Sequence, residues 1–475
     1  MTVGSLEEIG EAFFEIERRE NLYDWKVGGI SVWILLRSRL FRTITQSANL
    51  YDWGTAKKFE LPADSVHYAG ANAAELLWAA ANGRAKAPKS DAEPDFRNLK
   101  GVKALVVPFA TRSAENPLIE KFSQPVINAL GADALVFGVG QWDKLSNRPR
   151  LEDLNEIFIK KYGTYASVFV RLALRKRDYA KYQRVVKYIE REVGISMAPY
   201  DVFPRWLLRT FVAERRGYRK VLAATSAKTV YMVNAARMPF QAAAQSLGMK
   251  IVEIQSGVFS KYSLQFSWPG SPAVDYLPNE ILTWGEYFTD GIEHAANQKI
   301  RVIGSTDEFN VVRDANLKRD SKQVVFLTQP LVGNDILAAA IEFARIKPNL
   351  NVIVKMHPRN DLEEFTKIIE AAGGSPNNMA LMQSQRSSLE VIAESEVAVG
   401  AFSTALIEAA GLGTKVAILR LPGWQHLAPL VEGGYASAFD NAQELATNFE
   451  NLRVAGDKYF FYGPKADIAS LVRLG

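Results

Sequence analysis

The chain has 475 residues, which is too long for one ordinary hydrophobic core and predicts two domains. Its 48% hydrophobic and 23% charged residues are typical of a globular protein, and a net charge of +5 is too small for a nucleic-acid-binding surface. The absence of cysteine excludes disulfides, thiolate metal sites and a cysteine nucleophile.

The first predicted elements are two helices. Residues 6–20 have an acidic, amphipathic pattern and lack the basic and apolar regions of a signal peptide. No apolar run reaches about 18 residues, so we expect no membrane span and a cytoplasmic protein. Asn21–Ile44 predicts a helix packed on the first domain, with Arg37, Arg39 and Arg42 on a solvated face. The alternative is peripheral contact of this helix with anionic lipid on the cytoplasmic face of the inner membrane.

The chain then alternates strands with helices, as parallel doubly wound sheets do. Val102–Pro108 is a near-continuous apolar run, typical of a strand buried on both faces. Residues 151–195 predict two long basic helices with a solvated face. The other elements predicted in this half are the helices Pro117–Leu130 and Pro239–Leu247 and the strands Ala134–Phe137, Val221–Ala224, Thr229–Asn234 and Lys250–Gln255.

A second series of strands and helices follows Glu308–Lys322, a charged segment that we expect to be a linker. Its predicted strands are Val324–Thr328, Val352–Met356, Met379–Met382, Val397–Gly400 and Val416–Leu419, with helices near 335–346, 361–372, 388–395 and 403–411. The predicted fold is therefore α/β, with two Rossmann-like, doubly wound domains whose strand ends face a cleft. The first domain covers 1–305, with a helical extension and a helical insertion near 151–215. The second covers 306–475, and its final segment Phe460–Gly475 is a candidate to return to the first domain.

Two motifs in the second half place polar side chains at the carboxyl ends of predicted strands. Lys355, His357 and Arg359 follow one another at alternate positions, so they lie on one side if the strand runs that far. Ser403 and Thr404 stand where a helix begins after a strand and a glycine. A helix N-terminus with free N–H groups binds anions, although an ordinary N-cap has the same sequence. Together the motifs predict a pocket for a phosphate-bearing ligand.

The KMHP sequence at 355–358 and the Ser-Thr pair at 403–404 resemble motifs of GT-B glycosyltransferases that make bacterial surface polysaccharides. This group includes sialyltransferases, polysialyltransferases, capsule Kdo transferases and CDP-glycerol glycerophosphotransferases. The sequences VEIQSG, SWPG and LTWGEY, at 252–257, 267–270 and 282–287, resemble the end of the first domain in such enzymes, where E-x-Q-H-G is common. Ser256 stands where that pattern has histidine. The likeness covers roughly residues 215–435.

The resemblance implies a donor site in the second domain. His357 would donate a hydrogen bond to a phosphate oxygen of the leaving group, and Lys355 or Arg359 would add positive charge. Ser403 and Thr404 would bind the same phosphates from the other side. The basic helices near 151–195 would offer an acceptor-binding surface if they are not simply solvated.

Other polar residues are weaker candidates for the same cleft. Glu408, one turn beyond the Ser-Thr pair, would reach a ribose or sugar hydroxyl or lie in solvent. Thr328-Gln329-Pro330, at the end of a predicted strand, would form a cleft wall, and Gln255 would contact the donor from the first domain. His426 or Trp424 would stack on a base or sugar, unless they are buried aromatics.

An inverting transferase also needs a carboxylate that accepts the acceptor's proton. Glu115, Glu253 and, with less support, Asp143 follow predicted strands of the first domain, and the sequence does not choose among them. No D-x-D triplet stands in a loop, so we expect no catalytic metal and no cofactor.

The resulting hypothesis is a metal-independent glycosyltransferase that adds a sugar from a phosphate-activated, nucleotide-type donor to a capsule or O-antigen glycan. Its partners would be that donor and a glycan or lipid-linked glycan acceptor. The alternatives are transfer from phosphoribosyl diphosphate or CDP-glycerol, a UDP-sugar 2-epimerase-like reaction and glycan binding without catalysis.

Overall fold

The computed structural model describes residues 5–48, 50, 101–109, 122–137, 151–194, 203–234, 237–304 and 307–463. Within these ranges no helix combines the length and the apolar character needed to cross a membrane. The described residues form a small antiparallel hairpin and two six-stranded sheets.

The chain begins with a helical unit that is anchored by apolar side chains. Helix α1 (Leu6–Glu20) starts at Ser5, which forms a reciprocal capping box with Glu8. A short hairpin follows, made of β1 (Lys26–Val27) and β2 (Ile30–Ser31). It leads into helix α2 (Val32–Ser47), whose first residues are almost all buried.

The first large sheet is parallel and has the strand order β4-β3-β5-β6-β7-β8. Its strands and accompanying helices are β3 (Ala104–Val107), α3 (Gln124–Leu130), β4 (Ala134–Val136), α4 (Leu151–Ala173), α5 (Lys176–Val193), α6 (Phe203–Ala223), β5 (Thr229–Val233), α7 (Met238–Gln245), β6 (Lys250–Ile254), β7 (Glu280–Thr283) and β8 (Lys299–Val302). Strands β3, β5 and β7 are buried along their whole length, as expected for strands covered on both faces.

The second sheet is also parallel and has the strand order β11-β10-β9-β12-β13-β14. Its domain contains α8 (Asp307–Asp314), β9 (Asp320–Leu327), α9 (Gly333–Ile346), β10 (Asn351–Lys355), α10 (Leu362–Ala371), β11 (Met379–Met382), α11 (Ser388–Glu394), β12 (Ser395–Gly400), α12 (Thr404–Gly411), β13 (Lys415–Leu419), α13 (Ala428–Glu432), β14 (Ser437–Phe439), α14 (Ala442–Asn448) and α15 (Lys458–Phe461). This order, 3-2-1-4-5-6 within the domain, is that of a dinucleotide-binding Rossmann sheet. The predicted α/β class with two Rossmann-like, doubly wound domains is confirmed.

Two predicted segments differ from the structure, and two observed strands have no counterpart in the prediction. Val221–Ala224 is not a strand, because Val221 and Leu222 lie on the buried side of α6. Glu308–Lys322 is not a plain linker, since α8 occupies its first part and β9 begins at Asp320. Strands β8 and β14 were not expected. They are the edge strands of their sheets, and only one of their residues is fully buried.

The Asn21–Ile44 segment also differs from its prediction. Its helix starts at Val32, and of the three arginines Arg37 is fully buried, Arg42 is half-buried and Arg39 is exposed, so the predicted solvated face is observed only in part. The Arg37 guanidinium bonds both oxygens of the buried Glu17 and stands 4.2 Å from the ring centre of Trp268. Arg37 is therefore part of the protein interior, and contact of this helix with lipid stays a prediction.

The end of the described chain packs on the first domain. Tyr462 stacks on Trp284 with ring centres 5.6 Å apart, and the Gly463 amide donates to the Trp284 carbonyl at 2.9 Å. Gly285 admits this approach, because a Cβ there would stand 2.2 Å from the Phe461 carbonyl oxygen. The predicted return of the C-terminal segment is therefore observed for Phe460–Gly463, and residues 464–475 lie outside the described residues.

Candidate functional site

The strand order of the second sheet creates a crevice at one place. The chain winds outward in both directions from β9 and β12, so their carboxyl ends form the topological switch point of the sheet. Open α/β sheets bind ligands at such a point, because the connections there diverge to opposite faces. Thr328 and Gln329 follow β9, and Ala401–Ser403 follows β12. His357 follows β10, which lies on the other side of β9.

A hydrogen-bond network fixes the turn that carries His357. The Thr328 hydroxyl oxygen accepts from the His357 amide at 2.9 Å, and its hydroxyl donates to Asn360 Oδ1 at 2.8 Å. The Asn360 amide in turn donates to the His357 carbonyl at 2.9 Å. His357 Nδ1 accepts from the Arg359 amide at 3.1 Å, which leaves the proton of a neutral imidazole on Nε2. The imidazole is half-buried, so Nε2 is positioned as a hydrogen-bond donor at the rim of the crevice.

Gln329 fixes the other side of the crevice. Its side chain is buried, and Oε1 accepts from the Phe402 amide at 3.0 Å. The next residue, Ser403, caps α12 by accepting from the Ala405 amide at 3.2 Å. Gly400 allows a close approach, since a Cβ there would stand 3.3 Å from the Leu327 carbonyl oxygen and 3.2 Å from Leu406. Its role is close packing of β12 on β9 and α12.

His357 and Ser403 consequently lie on opposite sides of β9. Two strand spacings separate β10 from β12, roughly 10 Å. Ser403 and Thr404 are both half-buried and stand at the N-terminus of α12, where the helix dipole is positive. This separation suits a ligand with two linked phosphates better than one with a single small anion.

Lys355 and Arg359 occupy different environments from each other. Strand β10 ends at Lys355, so the alternation expected for Lys355, His357 and Arg359 does not extend to the last two residues. The Lys355 ammonium is buried and donates to the carbonyl oxygens of Gln383 and, at 2.7 Å, Arg386. Burial lowers its pKa. Lys355 therefore holds the loop after β11, whereas Arg359 is exposed beside His357.

Two further donor-site candidates contact the protein itself. Gln255 is buried, and its amide accepts from the Trp284 amide at 2.8 Å and donates to the Gly257 carbonyl at 2.9 Å. Glu408 is half-buried, and its charge contributes to the raised pKa of the buried Tyr462 phenol, which is caused mainly by burial. Glu408 thus faces the C-terminal segment, which packs on the first domain.

The carboxyl ends of the two sheets face each other. Ser260, in the loop after β6, lies 2.8 Å from Nδ1 of His426, in the turn after β13, and both residues are buried. Burial lowers the pKa of His426 to about 4, so the ring is neutral near pH 7. His426 is therefore a buried contact between the two domains and does not stack on an open ligand site. Trp424 is half-buried beside it, and Arg420 lies 5.8 Å from its ring centre.

Of the three carboxylates proposed as the catalytic base, only Glu253 lies among the described residues. Glu253 is buried near the carboxyl end of β6 and lines a cavity bounded by α2 and α6. Glu115 and Asp143 lie outside the described residues. In the described ranges no group of three or more His, Asp or Glu side chains is arranged to hold a metal ion.

Asn360 is the site residue that sequence reasoning did not assign. It acts through hydrogen bonds within a turn, and such bonds leave no periodic pattern in a sequence. Thr328 belongs to the Thr-Gln-Pro sequence at 328–330 that is predicted to form a cleft wall, and its hydrogen bond to the His357 amide adds a role that the sequence does not indicate. Polar residues at that position of a switch-point strand face the crevice.

No family model and no curated protein matches the chain. The similar solved structures include UDP-GlcNAc 2-epimerase from Methanocaldococcus jannaschii, at 14% identity and a TM-score of 0.43, covering 79% of this chain and 99% of that one. They also include the glycotransferase of kitacinnamycin, at 13% identity and a TM-score of 0.44, covering 79% of this chain and 94% of that one. Spinosyn rhamnosyltransferase in complex with spinosyn aglycone is similar at 12% identity and a TM-score of 0.44, covering 78% and 99%. At these values the similarities assign no activity to this chain.

Proposed function

We propose that the protein is a glycosyltransferase whose phosphate-activated sugar donor binds in the switch-point crevice of the second domain. The observation that carries this proposal is the position of His357 and the α12 N-terminus on opposite sides of β9. One supplies a fixed N–H donor, and the other supplies hydroxyls and a positive dipole end. Both interactions strengthen as negative charge develops on a leaving phosphate.

The proposed donor is a nucleotide sugar, and the proposed acceptor is a growing capsule or O-antigen glycan that enters from the first domain. CDP-glycerol and phosphoribosyl diphosphate carry the same diphosphate and are the alternative donors. Reaction without a metal ion is part of the proposal, since His357 and the helix terminus take over the stabilisation of charge.

A thermal-shift screen of the full chain with CMP, CDP, UDP, GDP and phosphoribosyl diphosphate tests donor binding. A ligand that binds only the native state raises the Tm, and we expect one of these compounds to do so. The corresponding labelled donor should then be transferred to an isolated surface glycan in the presence of EDTA. The proposal fails if no compound raises the Tm, or if the bound donor is neither transferred nor cleaved.

A further inference from the structure

The first domain contains a charged cavity that the donor site does not use. It has a volume of about 200 Å³ and lies between α2, α6, the start of α7 and the loop 265–278. Ligand sites for drug-sized molecules begin at roughly 300 Å³, so this cavity accommodates a smaller group, about one sugar ring, and not a whole nucleotide sugar.

Two helices direct charged residues into this cavity. Arg39 and Arg42 are three positions apart on α2 and therefore share one face of the helix. Arg39 has accessible surface and Arg42 is half-buried, so both line the space without being sealed off. Glu214 enters from α6 and is 8% exposed, and Glu253 enters from β6 and is 4% exposed.

The net charge of the lining depends on the protonation of Glu214. The charge of Glu214 is balanced by Arg39 and also by Arg237, at the start of α7. Arg39 and Arg42 are the two arginines of the lining and Glu214 and Glu253 its two glutamates, so its formal charge is zero when both carboxylates are ionised. Burial raises the pKa of Glu214 to about 7, and its protonation leaves the lining with one positive charge.

The remaining walls are apolar and include one indole. Ile34, Phe211 and Leu277 line the cavity beside Trp268. The Trp268 indole N–H has no hydrogen-bond partner in the part of the chain that the structure describes. Aromatic and aliphatic walls with a few polar groups are the usual lining of a small-molecule site.

The cavity lies towards the second domain. Arg42 is little more than one turn before the end of α2. Beyond that end, the Leu50 carbonyl oxygen would stand 3.0 Å from a Cβ on Gly423, which belongs to the second domain. Glu253 is at the carboxyl end of β6, the edge of the sheet that faces the cleft.

From this arrangement we infer that the cavity binds an acidic sugar of the acceptor, with Arg39 and Arg42 holding its carboxylate or phosphate. The identification of this sugar as the acceptor rests on the proposed transferase function, but anion binding by the cavity does not. Glu214 acts as a positioning residue, because its protonation changes the positive charge that the anion meets.

Calorimetric titration of the full chain with glucuronate, glucose 6-phosphate, inorganic phosphate and glucose tests the cavity. We expect an acidic sugar to bind and neutral glucose not to bind, and the stronger of the two acidic sugars identifies carboxylate or phosphate as the preferred group. Binding only of inorganic phosphate, or binding of glucose with equal affinity, would overturn the inference.

Substitutions of the lining residues test whether the measured binding takes place in this cavity. Arg39→Gln with Arg42→Gln should weaken the acidic sugar roughly 10-fold or more, because charge-assisted hydrogen bonds are lost. Arg39→Lys is a milder variant that keeps the charge and loses the planar donor pair, and it should weaken binding to a smaller extent. Arg219→Gln, on the exposed side of α6, is the matched control and should bind as the native chain does. Unchanged affinity in the folded Arg39→Lys and double variants would place the anion elsewhere.

A pH series tests Glu214 with glucuronate, whose own charge is constant between pH 6 and 8. Arg39 and Arg237 act on the charge of Glu214, and Arg42 and Glu253 line the same cavity. Because Glu214 gains a proton as the pH falls through about 7, affinity should rise from pH 8 to pH 6. Glu214→Gln should bind more tightly at pH 8 and show no rise. A parallel rise in the variant would exclude Glu214 from this role.

The two proposals fail separately. Glucuronate binding without any nucleotide binding would leave the cavity site intact and remove the transferase. Nucleotide binding and sugar transfer without acidic-sugar binding would support the transferase and remove the cavity site.

Discussion

The two domains use buried polar side chains in different ways. In the second domain, Thr328, Gln329 and Asn360 are neutral groups that hold backbone turns around the crevice. In the first domain, charged groups are buried, as in the Arg37–Glu17 pair and the cavity that contains Glu214. Burying a neutral, hydrogen-bonded network costs little free energy at any pH. Burying charges costs desolvation free energy, which their partners must offset. Stability around the Arg37–Glu17 pair should therefore depend on charge pairing, and that of the crevice turns held by Thr328, Gln329 and Asn360 on backbone geometry.

The largest expected effect is on stability, from Arg37→Leu. This substitution leaves Glu17 charged and buried, although Trp33 and Tyr23 still donate to it at 2.7 and 2.6 Å. Loss of one partner of a buried ion pair costs about 3–5 kcal/mol, which urea unfolding would measure. Arg184→Gln removes an exposed pair with Glu20 and should cost about 1 kcal/mol or less. Equal effects of both substitutions would show that burial does not make the Arg37–Glu17 pair more important for stability than an exposed pair.

His357→Ala should reduce turnover by about 10²-fold, by analogy with loss of one oxyanion donor. The Tm should change little, because the imidazole is half-buried and Thr328 bonds the backbone of residue 357 rather than its ring. Lys367→Ala, at an exposed position on α10, is the control and should leave turnover unchanged. Near-native turnover in a folded His357→Ala protein would remove His357 from the donor site.

Gln329→Ala and Gln255→Ala each remove a glutamine side chain that accepts a hydrogen bond from a buried backbone N–H, one in each domain. Each substitution leaves a buried backbone N–H unpaired, at Phe402 or Trp284, and should cost about 1–3 kcal/mol in unfolding experiments. Only Gln329→Ala should also weaken donor binding, since Phe402 directly precedes the N-cap of α12. Equal weakening of donor binding by Gln255→Ala would show that the donor contacts the first domain at this point.

Ser403→Ala combined with Thr404→Ala should weaken donor binding and leave turnover of the saturated enzyme largely intact. The backbone N–H groups of α12 still face the phosphate, but the hydroxyls are lost. Loss of the N-cap should also lower stability by about 1 kcal/mol. A fall in turnover at unchanged donor affinity would reverse the roles assigned to these residues and to His357.

An effect that is confined to acid pH is expected on stability, through His426. Its pKa is about 4 in the folded protein and near 6.5 when unfolded, so the unfolded state takes up the proton first. Its contribution to stability is complete above pH 6.5 and is lost progressively as the pH falls towards 4. Tm profiles of the native chain and of His426→Asn should therefore converge across this interval. Parallel profiles would show that His426 is accessible to protons when folded.

The sequence predicts the second domain well, because its apolar strands and amphipathic helices alternate at regular spacing. Residues 379–382 form a strand at the predicted bounds, and other elements of this domain begin or end within a few residues. Val221–Ala224 was mistaken for a strand, since four residues of a buried helix face have the same composition as a short strand.

Site chemistry was less predictable than the fold. Lys355 stands at the end of a strand, where a cation is expected to bind phosphate. Its ammonium instead bonds two carbonyls of a loop about 30 residues later in the chain. Arg37 and Arg39 are two positions apart, and one is buried in an ion pair while the other lines a cavity. Such differences depend on which distant segments approach, and local residue patterns do not contain that information.

The position of the donor's phosphates in a crystal of the complex tests the central proposal most directly. The nucleotide that raises the Tm most should be used. Its diphosphate should lie within hydrogen-bond distance of His357 Nε2 on one side and of the first turn of α12 on the other. Phosphates bound instead at Arg39 and Arg42, or outside the second domain's crevice, would contradict the proposed donor site.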